Sequence, residues 1–190
     1  MSFFSFIKTL LLTTAILFSS QVIAHEQSTD TEITQKINAK IAADNLLNHS
    51  KINVDVSTKD QVVTFTGVVN SDSEASALVE IAQSTVDVQD VNTTNLTVKG
   101  STQPLTDLYI TAKVKGKFIK EKLFGNKEVS AWTVHVETNN GVVTLTGEVD
   151  TKEEAENAIK LAQSVSGVSA VKYRVKVLRN HIPNHELTNY

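Results

Sequence analysis

The sequence predicts an α+β fold: two tandem αββαβ domains, each a three-stranded sheet with two helices on one face. Three observations carry this. The segment Val62-Val63-Thr64-Phe65-Thr66-Gly67 returns 80 residues later as Val142-Val143-Thr144-Leu145-Thr146-Gly147, and 11 of the 24 positions between 61–84 and 141–164 are identical. Ahead of each copy runs an apolar stripe of helical period, and inside each copy the period changes to strict alternation. A repeat found twice marks a tandem of small domains rather than a solenoid.

The first helix of each copy follows from Ile33, Ile37 and Ile41, answered at an offset of 77 by Ile110, Val114 and Phe118. Copy two therefore has three extra residues before its first strand. That strand is read from Ile52, Val54 and Val56 against Asn53 and Asp55, and from Trp132, Val134 and Val136 against Thr133 and His135. A hairpin leads to the second strand through Asn140-Gly141 in copy two, a pair suited to a turn whose central residues both need positive φ. Copy one has Asp60-Gln61 there. Gly67 and Gly147 are expected to end the second strand with a bend into the next helix. The second helices open with Ser71-x-x-Glu74 and Thr151-x-x-Glu154, the pattern of a capping box. Ala75, Leu78, Val79 and Ala82, with Ala155, Ile159 and Ala162, give them a stripe for packing on a sheet. The last strands are read from about Val88 to Val98 and from about Val168 to Leu178, with one residue inserted in copy one.

Outside the copies, Lys8 precedes an apolar run from Thr9 to Phe18, and Val22-Ile23-Ala24 offers small residues at −3 and −1. Residues 1–24 thus read as a secretory signal peptide cleaved after Ala24, the apolar run being shorter than the roughly 20 residues a membrane-spanning helix needs. The expected division is 1–24 signal peptide, 25–30 disordered leader, 31–99 first domain, 100–105 linker, 106–178 second domain and 179–190 flexible tail. The chain has no cysteine. Disulfides, thiolate metal sites, a catalytic thiol and lipid attachment at cysteine are all excluded.

The hairpin Gly141-Val-Val-Thr-Leu-Thr-Gly147 and the Ser166-Gly167-Val168-x-x-Val171 lead into the last strand resemble the BON (bacterial OsmY and nodulation) domain family, over nearly all of 31–98 and 106–178. Gly67, Gly141, Gly147 and Gly167 are read as structural turn residues. Copy one departs from the pattern at Gln61 and Asp87, where glycine is expected. The resemblance implies a non-enzymatic periplasmic protein of the osmotic or envelope-stress type that attaches to phospholipid membranes. An exported, cysteine-free tandem of binding domains equally suits a soluble adaptor or holdase-like chaperone for exported client proteins.

The residues themselves add an electrostatic signal. The net charge of −3 divides into −6 over 25–100 (5 Lys, 11 Asp and Glu) and +2 over 101–190 (10 Lys, 2 Arg, 10 Asp and Glu). Lys113, Lys117 and Lys120 share a helical face by i, i+4, i+7 spacing, and Lys122 follows beside Leu123 and Phe124. Lys172, Arg174 and Lys176 alternate with apolar neighbours and are expected on the uncovered face of the sheet. Together these seven are the candidate contacts to anionic phospholipid, a basic surface with apolar neighbours being suited to lipid headgroups. The same residues also read as a solubilising face. Nucleic acid is not expected as a partner of an exported, net acidic chain. No catalytic or cofactor motif occurs, so neither enzyme activity nor a cofactor is expected. Glu153, Glu154 and Glu156 read as a solvated helix face with a capping residue rather than as paired catalytic carboxylates, and His135 as a surface residue. His181 and His185 flank Pro183 in the tail and read as no metal site.

Overall fold

The computed structural model describes residues 27–50, 52–101, 105–127, 129 and 133–178. Copy one contains α1 (Asp30–Ala43), α2 (Asn45–His49), β1 (Asn53–Lys59), β2 (Val62–Val69), α3 (Asp72–Gln83) and β3 (Asp90–Val98). Copy two contains α4 (Thr106–Phe124), β4 (Val134–Asn139), β5 (Val142–Val149), α5 (Lys152–Gln163) and β6 (Ala170–Val177). Each sheet is mixed, in the order β1-β2-β3 or β4-β5-β6. The hairpin pair is antiparallel, and the helix crossover returns the third strand parallel to the second. The predicted fold class stands.

Both hairpins turn through two residues of positive φ: Asp60 and Gln61 at 51° and 64°, Asn140 and Gly141 at 50° and 74°. The first turn of the preceding helix holds them. Asp30 accepts the backbone N–H groups of Asp60 and Gln61 at 2.8 and 2.9 Å, and Asp107, its counterpart at offset 77, accepts those of Asn140 and Gly141 at 2.7 and 2.9 Å. This carboxylate clamp lets copy one keep the turn without glycine. It also corrects the boundary of the leader. Thr29 caps α1 in a full capping box with Glu32, whose side chain accepts the Thr29 N–H at 2.8 Å, and that hydrogen bond holds the Glu32 carboxyl below its usual range. The domain therefore begins by Thr29, not at 31, because an N-cap and the acidic residue after it belong to the helix they start.

A second difference is α2, where no helix was expected. The Asp44 carboxylate accepts from the backbone of Leu46 and Leu47 at 2.9 and 3.0 Å, and the resulting turn buries Leu47 in the core. In α3 and α5 the caps Ser71 and Thr151 accept from the Glu74 and Glu154 N–H groups as expected. The glutamates, however, reach one residue further back, to the N–H of Asn70 and Asp150, both at 2.7 Å. Ile33, Ile37, Phe65 and Leu78 centre one core; Val114, Phe118, Val143 and Leu145 centre the other.

Gly67 and Gly147 do not end the second strand. They lie inside β2 and β5, opposite Val54 and Val134 of the hairpin partner, at φ of 142° and 119°. A Cβ on either would overlap the carbonyl oxygen of Asn53 or Thr133. The glycine is needed for close approach of the first strand, not for a bend into the helix. Gly147→Val should therefore lower stability by about 3 kcal/mol or more, combining backbone strain with a clash against main chain. Gly100 has φ of 77° with nothing within 4 Å of an added Cβ. Gly100→Val should cost only about 1–2 kcal/mol. Denaturant unfolding of the full chain compares them, and equal losses would contradict this account.

Candidate functional site

The lysine-rich helix α4 was expected to offer one apolar stripe to its own sheet and one basic face to solvent. It is buried on two sides. Ile110, Val114 and Phe118 enter the copy-two core, while Tyr109 and Ala112 belong to the copy-one core with Leu105 and Leu108 packed beside them. Apolar residues all round a helix mean burial on more than one face. Gly116 sits against α3, where a Cβ would stand 2.7 Å from Gln83 Cβ and 2.9 Å from the Glu80 carbonyl oxygen. The Tyr109 hydroxyl donates to the Leu96 carbonyl at 3.0 Å, satisfying an acceptor on the edge strand β3.

This packing relocates three of the expected lipid contacts. Lys113 is buried and donates to Asp90 Oδ1 at 2.8 Å and to Ser166 Oγ at 3.0 Å; Ser166 in turn donates to Asp90 Oδ2 at 2.7 Å. Lys120 donates to the Val88 carbonyl at 2.6 Å, again across the junction. Lys117 donates to the Ser164 carbonyl and hydroxyl at 3.1 and 2.8 Å within copy two. Burial pushes the Lys117 and Lys120 ammonium groups down from their ordinary values. Burial alone would raise Asp90, but the hydrogen bonds from Lys113 and Ser166 hold it below its usual range. The three lysines do share a face, as the spacing required, but that face meets copy one and the end of α5. Lys113 is therefore withdrawn from an open anion-binding surface by burial and by its carboxylate partner, while Lys117 and Lys120 are half-buried, each held by a backbone carbonyl.

The other four are exposed. Lys122 stands at the end of α4 beside Leu123 and Phe124, which are 58% and 60% exposed, with Lys127 just beyond. Lys172, Arg174 and Lys176 project from β6 on the face away from the core, next to Thr144, Thr146 and Glu148 of β5. Lys176 is paired with Glu148 at 3.3 Å, an exposed contact of little weight. Gly141 forms its hairpin turn, and Gly167 lies against the Ile110 side chain. Sequence reading missed Asp90 and Ser166. Ser166 stood in the quoted motif, and Asp90 had no counterpart to flag it, position 170 being alanine.

A cleft of about 450 Å³ runs along this junction, bordered by Thr93, Thr94, Tyr109, Lys113 and Ser166. Among the described residues that border it, the one cation, Lys113, is already bound to Asp90. Glu154 is buried and accepts the Asp150 N–H ahead of α5, which removes it from the expected solvated face, while Glu156 pairs with Lys152 at 3.6 Å and Glu153 is exposed. His135 is exposed on β4. His181 and His185 lie outside the described residues. Among the described residues no cluster of three or more His, Asp or Glu could hold a metal, and no helix is long and apolar enough to cross a membrane.

A family model described as BON domain matches residues 29–100 and 106–179. The osmotically-inducible protein Y of Escherichia coli (strain K12) is 32% identical over 150 residues, covering 77% of this chain and 72% of that protein. Two solved structures of CdsD, a structural protein of the type III secretion system of Chlamydia trachomatis, align at 15% and 16% identity with a TM-score of 0.32. They cover 80% and 81% of this chain and 68% and 66% of theirs. Likeness at that level says nothing further about this chain.

The charge pair across the junction makes a pH prediction. A carboxylate whose folded pKa lies below its ordinary 3.8 adds stability above that value and loses it as pH falls through the folded pKa. Asp90→Asn should therefore destabilise the chain by about 1–3 kcal/mol at pH 7, the range for a charged hydrogen bond. The deficit should close as pH falls below 3.8. Unfolding free energies of both proteins across that range test it, and a deficit unchanged in acid would contradict it.

Proposed function

Because this chain belongs to the BON domain family, we propose that it is a non-enzymatic periplasmic protein of the osmotic-stress type that engages anionic membrane surfaces through copy two. One observation carries the membrane reading: the end of α4 presents Leu123 and Phe124 to solvent, 58% and 60% exposed, between Lys122 and Lys127. Apolar side chains projecting among lysines suit the boundary between headgroups and acyl chains, where each basic residue contributes about 1 kcal/mol. Lys172, Arg174 and Lys176 widen the basic surface of the same copy. Residues 1–24 support export to the periplasm, and the similarity to an osmotically-inducible protein supports the stress assignment.

Flotation of the full chain with phosphatidylcholine vesicles, with and without phosphatidylglycerol, tests this. The chain should float with the anionic vesicles at low salt and be released as salt rises, since screening shortens to about 10 Å at 0.1 M. Leu123→Ser with Phe124→Ser should reduce the floated fraction about tenfold or more, each apolar side chain withdrawn from water being worth about 1.5–3 kcal/mol. The melting temperature should stay unchanged, because neither side chain is in a core. Equal flotation of variant and wild type would reject the membrane reading and leave the adaptor or holdase role for exported proteins, and equal binding to neutral vesicles would reject its anionic preference.

A further inference from the structure

Copy one and copy two share a scaffold, yet one surface is covered in the first and open in the second. Gln83 of α3 with its C-cap Ser84, and Val91, Leu96 and Val98 of β3, are buried, with α4 packed along this side of copy one. Their counterparts in copy two are not. Gln163 and Ser164 are exposed, Val171, Val175 and Val177 are half-buried, and Tyr173, on the same face of β6, is 60% exposed. Nothing among the described residues occupies the place beside α5 and β6 that α4 occupies beside α3 and β3.

The charges at this place differ between the copies: one acid of copy one gives way to a lysine and two to uncharged residues, while Glu153 and Glu156 stand where copy one has Ser73 and Ser76. In copy one Glu80 and Asp90 face Lys115 and Lys113 of α4. In copy two the same positions carry Lys160 and Ala170, and Gly167 stands for Asp87. We propose that this face docks an acidic amphipathic helix of another polypeptide, laid against α5 and β6 as α4 lies against α3 and β3. Helices that enter such grooves anchor through apolar residues one turn apart, and matched charge sets which helix is accepted. A second copy of this chain does not supply the helix. The positions of α1 and its lead that correspond to Leu105, Leu108, Tyr109, Ala112 and Gly116 are Ser28, Thr31, Glu32, Gln35 and Ala39, which include no large apolar anchor. The surface is separate from the end of α4 and from Lys172, Arg174 and Lys176, which stand on the opposite face of the sheet, so the membrane reading and this one fail independently.

The probe is a synthetic peptide of residues 105–120 with Lys113, Lys115, Lys117 and Lys120 replaced by Glu and Ile110, Val114 and Phe118 by Gln. It keeps the α4 residues that face copy one and reverses the charge. Fluorescence anisotropy should show it binding the full chain, while the same peptide with its lysines retained binds about tenfold more weakly. Tyr173→Asp should weaken the acidic peptide about tenfold or more, as loss of an aromatic anchor does, and Lys160→Glu should weaken it as well. Both side chains are exposed, so an unchanged melting temperature confirms that the variants fold. The proposal is overturned by absence of binding, by equal binding of both peptides, or by indifference to Tyr173→Asp. It is also overturned by self-association of the full chain that Tyr173→Asp abolishes. A rise in peptide affinity of about tenfold on removing residues 179–190 would assign the face to the chain's own tail instead.

Discussion

One helix belonging to two cores is the constraint on which the rest of this structure depends. A domain of roughly 70 residues buries only about 60% of the surface its unfolded chain exposes and is marginal alone. Here α4 sends Ile110, Val114 and Phe118 into its own domain and Tyr109 and Ala112 into the preceding one. Each apolar side chain so buried withdraws surface from water at about 25 cal/mol per Å². The close approach requires Gly116, where α3 leaves no room for a side chain. The polar groups trapped at the junction are satisfied in place: Lys113, Asp90 and Ser166 bond one another, and Lys120 takes the Val88 carbonyl. Among the described residues no buried side-chain polar atom lacks a partner.

The repeat therefore has a direction. Copy one is the receptor and copy two supplies the helix, although both are built on one pattern of strands and turns. What differs is the outer side of the first helix. In copy two it carries Leu105, Leu108 and Tyr109; in copy one the matching positions are Ser28, Thr31 and Glu32. Thr31 and Glu32 face water and close off that end, whereas the apolar residues of copy two join the domains. The charge split between the halves acquires a structural meaning from this. Copy one's acidic side meets copy two's lysines, so part of the −6 against +2 asymmetry is consumed inside the molecule.

How far the sequence could be read follows from which signals are local. Periodicity, the Asn140-Gly141 turn and the Ser71 and Thr151 caps depend on neighbours a few residues away, and each element they announced is present. The small helix α2 and the start of α1 were also written locally, in Asp44 and in Thr29 with Glu32, but polar caps are easily taken for loop. The candidate site was less legible. Spacing placed Lys113, Lys117 and Lys120 on one face, but no local pattern says what that face meets. Leu105, Leu108 and Tyr109 were the signal, a second apolar stripe on a helix that needed only one. Asp90 could be found only by pairing it with a lysine 23 positions away.

The sharing of α4 between the two cores is tested most directly by native-state hydrogen exchange on Phe118→Ala. Phe118 lies in the copy-two core and is not part of the copy-one cluster. Deleting a buried phenylalanine costs about 3–5 kcal/mol, enough to raise the population of states in which α4 is detached. If α4 holds both domains, the amides of β2 and β3 in copy one lose protection together with those of β5 and β6. Loss confined to copy two, with β2 and β3 protected as in the wild type, would contradict the account.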